Sequence, residues 1–485
     1  MSNLDHDAVR GHVIEHVERN RQGLADLSDA IFWFAEPGLQ EHETCALMCS
    51  LLEEAGFAVQ RGISGFATAF LATAGSGAPV VAMHTEYDAN PDNSQAPGVA
   101  EKREIVPGAP GHCEGHNANA AAMVAAAIAV KSAMETFGLP GTLKVFGAPA
   151  EELLLARPYF VRDGWFDDVD VAFHDHIWGE FSTEYGQIQI ASISAEFTFH
   201  GETAHAGLAP WKGRDALDAV VLMDMGLAQF REHMEPTMRA HRAITDGGVQ
   251  PNVIPARASV WWYFRDPSAD GAQRLFEQAK RIAQGAALMT RTEVEVNVKS
   301  AVWPVRGNRT LAECVQRNIE RVGMPVWDEH EQALARALQA AAGAPQTGLR
   351  PQLTPLTGPA KMIMASNDCG DVSWKVPMAR LWFPGNVPGI TYHHWSAGSA
   401  LATSIAHKGA VAGAKALAAS VTDCFADPAI VAAAKRSFAE ETADVDYVSM
   451  LPADQAPPTG ANEALMQRFR PLLEPHYRAK RPTFT

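Results

Sequence analysis

Cysteine is scarce in this chain and scattered, with Cys45, Cys49, Cys113, Cys314, Cys369 and Cys424 as the only six. Their spacing matches neither a disulfide framework nor a cysteine-rich zinc site, which argues against a small stapled secreted domain and for a reducing cytoplasm. Positive charge is also in deficit: 40 Lys and Arg stand against 56 Asp and Glu, a formal net charge of -16. An acidic surface repels a phosphate backbone, so no nucleic-acid partner is expected. No apolar run reaches the roughly 18 residues that a bilayer-crossing helix needs, so no membrane segment is expected. The opening MSNLDHDAVRGHVIEHVERN lacks an apolar stretch after a basic one and does not read as a secretory signal. Internal repeats are absent as well.

What remains is ordinary globular material, 485 residues of which 47% are hydrophobic and 20% charged. At roughly 100–200 residues per domain this allows two to four domains, or one large domain carrying an insertion. Residues 5–60 read as two helices, the second over Thr44–Ala55 and stopped by Gly56. Phe66–Ala72, Val80–His84, Thr142–Ala148 and Asp170–His174 read as short strands, and Asn119–Met134 as an alanine-rich helix. Residues 90–112, rich in proline and glycine, read as a long functional loop. Strands alternating with helices, with polar residues at strand ends, suggest an α/β sheet that gathers its ligand at the carboxyl ends.

The texture changes over 188–300. Ile188–His200, Ser259–Arg265 and Glu293–Lys299 read as antiparallel strands, and Gly213–Glu232 and Asp270–Leu288 as helices. We therefore divide the chain into a catalytic domain over 1–187 and 301–485, interrupted by an α+β unit over 188–300. Residues 332–354 read as a helix and loop, and the segment after Pro452 as a polar, proline-rich tail.

Four clusters could carry chemistry. In Gly111-His-Cys-Glu-Gly-His-Asn117, Glu114 and His116 either share a metal or belong to a helix cap led by Asn117. Glu151 and Glu152 form either a solvated turn or a working pair, one carboxylate holding a cation and the other taking a proton from water. His174 and His176 point to one side of a strand, as ligands or as core histidines. Tyr392-His-His-Trp395 is a surface loop or a further source of ligands.

Their order along the chain is a specific pattern. With Glu86-Tyr-Asp-Ala, Ser94-Gln, Gly201-Glu-Thr-Ala-His-Ala-Gly, Gly213-Arg-Asp-Ala-Leu-Asp-Ala-Val, Pro251-Asn-Val-Ile-Pro, Asp371-Val-Ser-Trp and His407-Lys-Gly, the chain resembles the metallo-aminoacylase and carboxypeptidase G family over about residues 20–440. The likeness is strongest to its aminobenzoyl-glutamate branch.

The resemblance implies a mixed-sheet α/β domain with two divalent ions, zinc or manganese with cobalt as a further option, and an inserted lid that dimerises. It implies Glu114, His116, Glu152, His176 and His393 as ligands, with His394 able to replace His393. Glu114 stands where the hippurate-hydrolase branch has Cys. His84 is a sixth candidate, as in the peptidase branch. Glu151 matches the general base, and His205 the histidine that reaches the partner subunit's site. Asn252 and Arg265 match substrate-binding residues, although alone they read as a turn residue and an end-of-strand Arg.

Trp178, Trp211 and Trp395 either line an aromatic pocket or belong to the core. The loop over 90–112 and the lid are expected to shape that pocket. The expected reaction is hydrolysis of an N-acyl or N-aroyl amino acid by a metal-activated water, in a homodimer or a hetero-oligomer with a related subunit. A dipeptidase, a hydrolase of an aromatic amine, and a non-catalytic partner subunit are the alternatives.

Overall fold

Two sheets divide the work, and a computed structural model describes them over residues 4–485. The main sheet contains, in chain order, β1 (Ala58–Arg61), β2 (Phe70–Ser76), β3 (Val80–Thr85), β4 (Gly141–Gly147), β5 (Val171–Trp178) and β6 (Ser182–Glu184), joined much later by β13 (Met378–Pro384). Its spatial order is β1-β2-β4-β3-β5-β13-β6. The central neighbours β4-β3, β3-β5 and β5-β13 run parallel, while β1-β2, β2-β4 and β13-β6 run antiparallel, so the sheet is mixed. A short ribbon pairs β7 (Gly186–Gln187) with β12 (Arg306–Gly307).

One face of the sheet rests on the helices His116–Phe137 and Ser404–Ala426, which also pack on each other and on the N-terminal helices. Alanine and glycine make that approach close. At Gly409, a Cβ would stand 2.4 Å from the backbone of Gly385, so only glycine lets the helix meet the end of β13. Contrary to the sequence expectation, His116–Phe137 is long and apolar enough to cross a bilayer, with a mean hydropathy of 1.4, but 72% of that window is buried inside the molecule. It is a core helix. The N-terminal segment holds three helices rather than two, His6–Arg19, Arg21–Phe34 and His42–Glu54. Asn20 separates the first two, its side chain bonding back to the His16 carbonyl at 3.0 Å.

The second sheet is built from β8 (Ala191–His200), β9 (Arg239–Asp246), β10 (Arg257–Asp266) and β11 (Glu293–Val302), all antiparallel in the order β11-β8-β10-β9. Helices Ala216–Phe230 and Ala269–Thr290 cover one face. Alternation in β10 buries Val260, Trp262 and Phe264 with those helices and turns Trp261, Tyr263 and Arg265 to the other side. β9 has no counterpart in the sequence reading: its residues are almost all exposed, so no apolar alternation marks it.

The tail is more ordered than its composition suggests. Helix Glu463–Leu473 buries Met466, Phe469 and Leu473 with Ala35, Val106 and Ala109. Arg470 pairs with buried Glu36 at 2.6 Å and donates to the Gln40 carbonyl at 3.0 Å, and Asn462 Nδ2 donates to the Gly38 carbonyl at 3.0 Å.

Candidate metal centre and active site

Strand alternation writes the site across the free face of the main sheet. Val81, Met83, Phe173, Leu381 and Phe383 enter the core under the long helices. Their neighbours take the opposite face, and register aligns them in rows. One row runs His84, His174, Arg380, Glu184 across four strands; the next, nearer the carboxyl ends, runs His176, Trp382, Ser182.

Loops bring in the remaining groups. Gly115 has a φ of 88° and a Cβ there would meet Ile177 at 2.3 Å, so only glycine can make the turn that sets Glu114 and His116 on either side of it. Asn117 is therefore not the helix cap: it lies inside the helix, and its Nδ2 donates to the carbonyls of Ser28 and Leu401. The Glu151–Glu152 turn is flanked by Ala150 and Leu154 with φ of 57° and 58°. Two buried carboxylates hold it. Glu41 accepts from the Ala150 N–H at 2.8 Å, and Asp88 from the Glu152 N–H at 3.0 Å.

The histidine tautomers follow from their partners. His116 Nδ1 contacts the Asp88 carbonyl at 3.0 Å and its carboxylate at 3.1 Å, both acceptors, so Nδ1 carries the proton and Nε2 offers a lone pair. His176 Nδ1 likewise donates to the Ile177 carbonyl at 2.8 Å, freeing Nε2. Burial pushes His176 down to about 4, which keeps the imidazole neutral, the form a metal needs. His393 Nε2 lies 2.7 Å from Glu114 and 3.3 Å from Glu152, and hydrogen bonds to these carboxylates push it up to about 11.

Three overlapping groups result, each with donor atoms within 4.8 Å of one another: Glu114–Glu152–His393, His116–Glu151–Glu152 and Glu86–His116–His176. All five ligands expected from the sequence are in them. The donor chemistry fits divalent cations. So do two orphans, since buried His116 Nε2 and Glu152 Oε1 have no hydrogen-bond partner among the described residues. Glu151 sits beside them. Burial, then the charge of Glu152, pushes its carboxyl well above the usual range, and Asn367 Nδ2 donates to its Oε1 at 2.5 Å.

Other expected residues lie elsewhere. His84 is outside all three groups. Its Nδ1 accepts from Arg157 at 3.0 Å and its ring stacks on His174 at 5.0 Å, so it supports the site from one row behind. His394 caps the short helix that starts at Trp395, its Nδ1 2.8 Å from the Ser396 hydroxyl. His205 and Asn252 are exposed on the lid. His205 Nδ1 accepts from the backbone N–H groups of Gly207 and Leu208, so its proton is on Nε2, facing outward as a donor. Arg265 does reach the site: it donates to Ser366 at 3.3 Å, and its buried Nε has no partner among the described residues.

Glu86 and its partners escape a reading of the sequence. Glu86 accepts from His174 at 2.9 Å and Asn119 at 3.1 Å and pairs with Arg157, which also pairs with Asp368. Burial pushes Glu86 up, but His174 and Arg157 outweigh it and hold the carboxyl well below the usual range. Only convergence in space reveals such a cluster, because its members are spread from Glu86 to Arg380.

A cavity of about 660 Å³ opens over these groups. Trp178 and Tyr392 stack in it at 4.8 Å, and Trp382 lies 5.5 Å from Trp178. Trp211 is exposed on the lid and Trp395 packs with Leu338 and Ile405, so of the three expected tryptophans only Trp178 lines the cavity. No residue of 90–112 lines it either. That loop is consumed by its own turns and by Ser94 and Gln95 side-chain bonds to its backbone, and the wall comes instead from Thr354, Lys361, Ile363 and Asn367.

Comparison with known proteins places this geometry. Residues 191–288 match the peptidase dimerisation domain of the M20 family. Over 470 residues, 91% of this chain and 97% of the relative, the sequence is 36% identical to one of the two kinds of subunit of the p-aminobenzoyl-glutamate hydrolase of Escherichia coli. It is 29% identical to the Xaa-Arg dipeptidase of Mus musculus over 89% of this chain and 92% of that one. A dinuclear metal-binding M20 peptidase from Bacillus subtilis superposes with a TM-score of 0.54 at 19% identity, covering 83% of this chain and 98% of its own.

Proposed function

Because the chain belongs to the M20 family of metal-dependent hydrolases that act on amide bonds, we propose that it cleaves the amide of an N-aroyl or N-acyl amino acid, with aminobenzoyl-glutamate-like compounds as the preferred class. The observation that carries this reading is the aromatic wall of Trp178, Tyr392 and Trp382 beside Glu151 and the candidate ligands in one cavity. A flat acyl group stacks on such a wall, whereas a dipeptide side chain has no need of it.

Glu114, Glu152 and His393 would hold one divalent ion, and His116 and His176, beside Glu86, a second; zinc, manganese and cobalt all suit these donors. When bound, such ions acidify water and polarise a carbonyl oxygen. Glu151 then has the role of proton carrier. Its Oε2 faces the cluster, 3.9 Å from His116, and Asn367 fixes the other oxygen, so it accepts a proton from water and returns it to the departing amine. Arg265, with Ser366, is placed to pair with the carboxylate of the amino-acid half. His205 presents its Nε2 proton away from its own site, which fits delivery to the oxyanion of a partner's substrate across a dimer formed through the lid. That partner is a second copy or a related subunit. Six unpaired, buried cysteines suit a reducing cytoplasm.

The test is amine release from metal-reconstituted protein given N-(4-aminobenzoyl)glutamate, N-benzoylglutamate, N-acetylglutamate and a set of dipeptides. N-aroyl substrates should be fastest. Faster turnover of dipeptides would sink the reading.

A further inference from the structure

The cavity continues past the candidate ligands toward β6, and its far end carries two carboxylates, Glu180 and Glu184. They differ in how they are satisfied. Glu180 is consumed within the protein, paired with Arg350 at 2.8 Å and accepting from the Thr354 hydroxyl at 2.8 Å. Glu184 accepts one side-chain hydrogen bond, from the Trp382 indole N–H to Oε1 at 2.8 Å, and its other oxygen has none among the described residues.

Register fixes where that free acceptor lies. Glu184 is in the row of His174 and Arg380, two strands from His174, or about 10 Å at the usual interstrand spacing. Trp382, one strand nearer, spans the interval. Its ring lies 5.3 Å from His176 on one side, and its indole N–H is bonded to Glu184. An aromatic ring held against Trp178 and Trp382, with its carbonyl at the ligand cluster, has its far edge directed at Glu184. Arg380 cannot neutralise this carboxylate, since its donors go to His174, Gln189 and Cys369.

We propose that Glu184 and Trp382 form a specificity subsite for the acyl half of the substrate, selecting an aromatic ring that bears an N–H donor opposite its carbonyl. This rests on the cavity being the acyl pocket, as argued above. The chemical class is an arylamine carboxamide, in contrast to a plain benzoyl or alkyl-substituted benzoyl amide.

Affinity is measured by calorimetry on metal-loaded full-length Glu151→Gln protein, in which hydrolysis is blocked. The probes are N-(4-aminobenzoyl)glutamate and N-(4-methylbenzoyl)glutamate, matched in size but not in hydrogen bonding. The amino compound should bind about tenfold tighter, as expected for a hydrogen bond to a charged acceptor. Adding Glu184→Leu should bring the ratio to about one, and adding Trp382→Phe, which keeps an aromatic wall but frees Glu184, should reduce it a few-fold. A ratio near one before those changes overturns the proposal, as does a ratio that survives Glu184→Leu. If Glu184→Leu fails to fold, judged by circular dichroism and metal content, the starting ratio and Trp382→Phe decide. Should the active enzyme hydrolyse neither compound while the ratio behaves as stated, the subsite stands and the proposed reaction falls. Turnover of both without a binding preference gives the reverse, and no binding of either overturns both.

Discussion

The two sheets treat their polar residues in opposite ways. In the main sheet, His84, Glu86, His116, Arg157 and His174 are all 0% exposed, and each has its orientation set by another buried group. On the lid, His205 and Asn252 face solvent, among Leu208, Trp211 and Val249 with exposures of 73%, 72% and 100%. Only Tyr263 and Arg265, on the inner side of β10, join the cavity. The catalytic unit thus carries its own supporting network, whereas the lid tip has its chemistry and its apolar surface turned outward together. Apolar side chains so exposed around polar ones mark a surface that another chain covers.

That contrast can be broken most forcefully at the buried end. Glu151→Gln should cost about 10²–10⁴ in kcat, the worth of a positioned general base, while metal content by elemental analysis stays at the wild-type level. Undiminished turnover would remove the base from Glu151. At the exposed end, His205→Ala should cost about 10²–10³ in kcat, as for loss of one oxyanion donor. Mixing the two inactive variants and re-forming dimers should restore about a quarter of wild-type activity, because half the dimers are mixed and one of their two sites is intact. Absence of rescue would place His205 outside the partner's site.

A smaller effect lies in the core. Asp371 accepts from the Trp303 N–H at 3.0 Å and the Tyr447 hydroxyl at 2.8 Å, and burial pushes it up to about 7. A carboxyl raised in the folded state keeps its contribution at low pH and loses it as pH rises from about 4 through 7. Wild-type stability should therefore fall relative to Asp371→Asn across that window, by at most roughly 4 kcal/mol. Urea unfolding at pH 5 and pH 8 measures the difference, and a constant gap would refute it. Smallest of all, Trp211→Ser should change protomer stability by less than about 0.5 kcal/mol but weaken the dimer, read by sedimentation at decreasing concentration.

Legibility follows the same division. Glu114, His116, Glu152, His176 and His393 can be read because each sits in a short motif at a strand or helix end. Strand alternation predicts that His174 and His176 share a face, and they do, but not that His174 is committed to Glu86 and Arg380. Networks such as Arg157 with Glu86 and Asp368 join residues up to 211 positions apart, and no local spacing encodes them. β9 is illegible because an exposed edge strand needs no apolar period. The cavity wall from Thr354 to Asn367 is illegible because a loop takes its position from the surface it crosses, here Tyr185–Ile190 through backbone bonds from Ala360 and Ile363 and to Ala365.

The docked tail has a consequence for handling the protein. Asn462 and Arg470 grip the stretch from Glu36 to Gln40, and Gly38 in that stretch abuts Ala150 so tightly that a Cβ would come within 2.9 Å of it. Thr485 is itself anchored, its N–H 2.7 Å from Asn20. Nicking by a protease near residue 455, or an affinity handle fused after Thr485, would therefore be felt as slack at the turn bearing Glu151. Such a preparation would stay folded and keep its ions while turning over slowly, and an N-terminal handle is the safer choice for kinetic work.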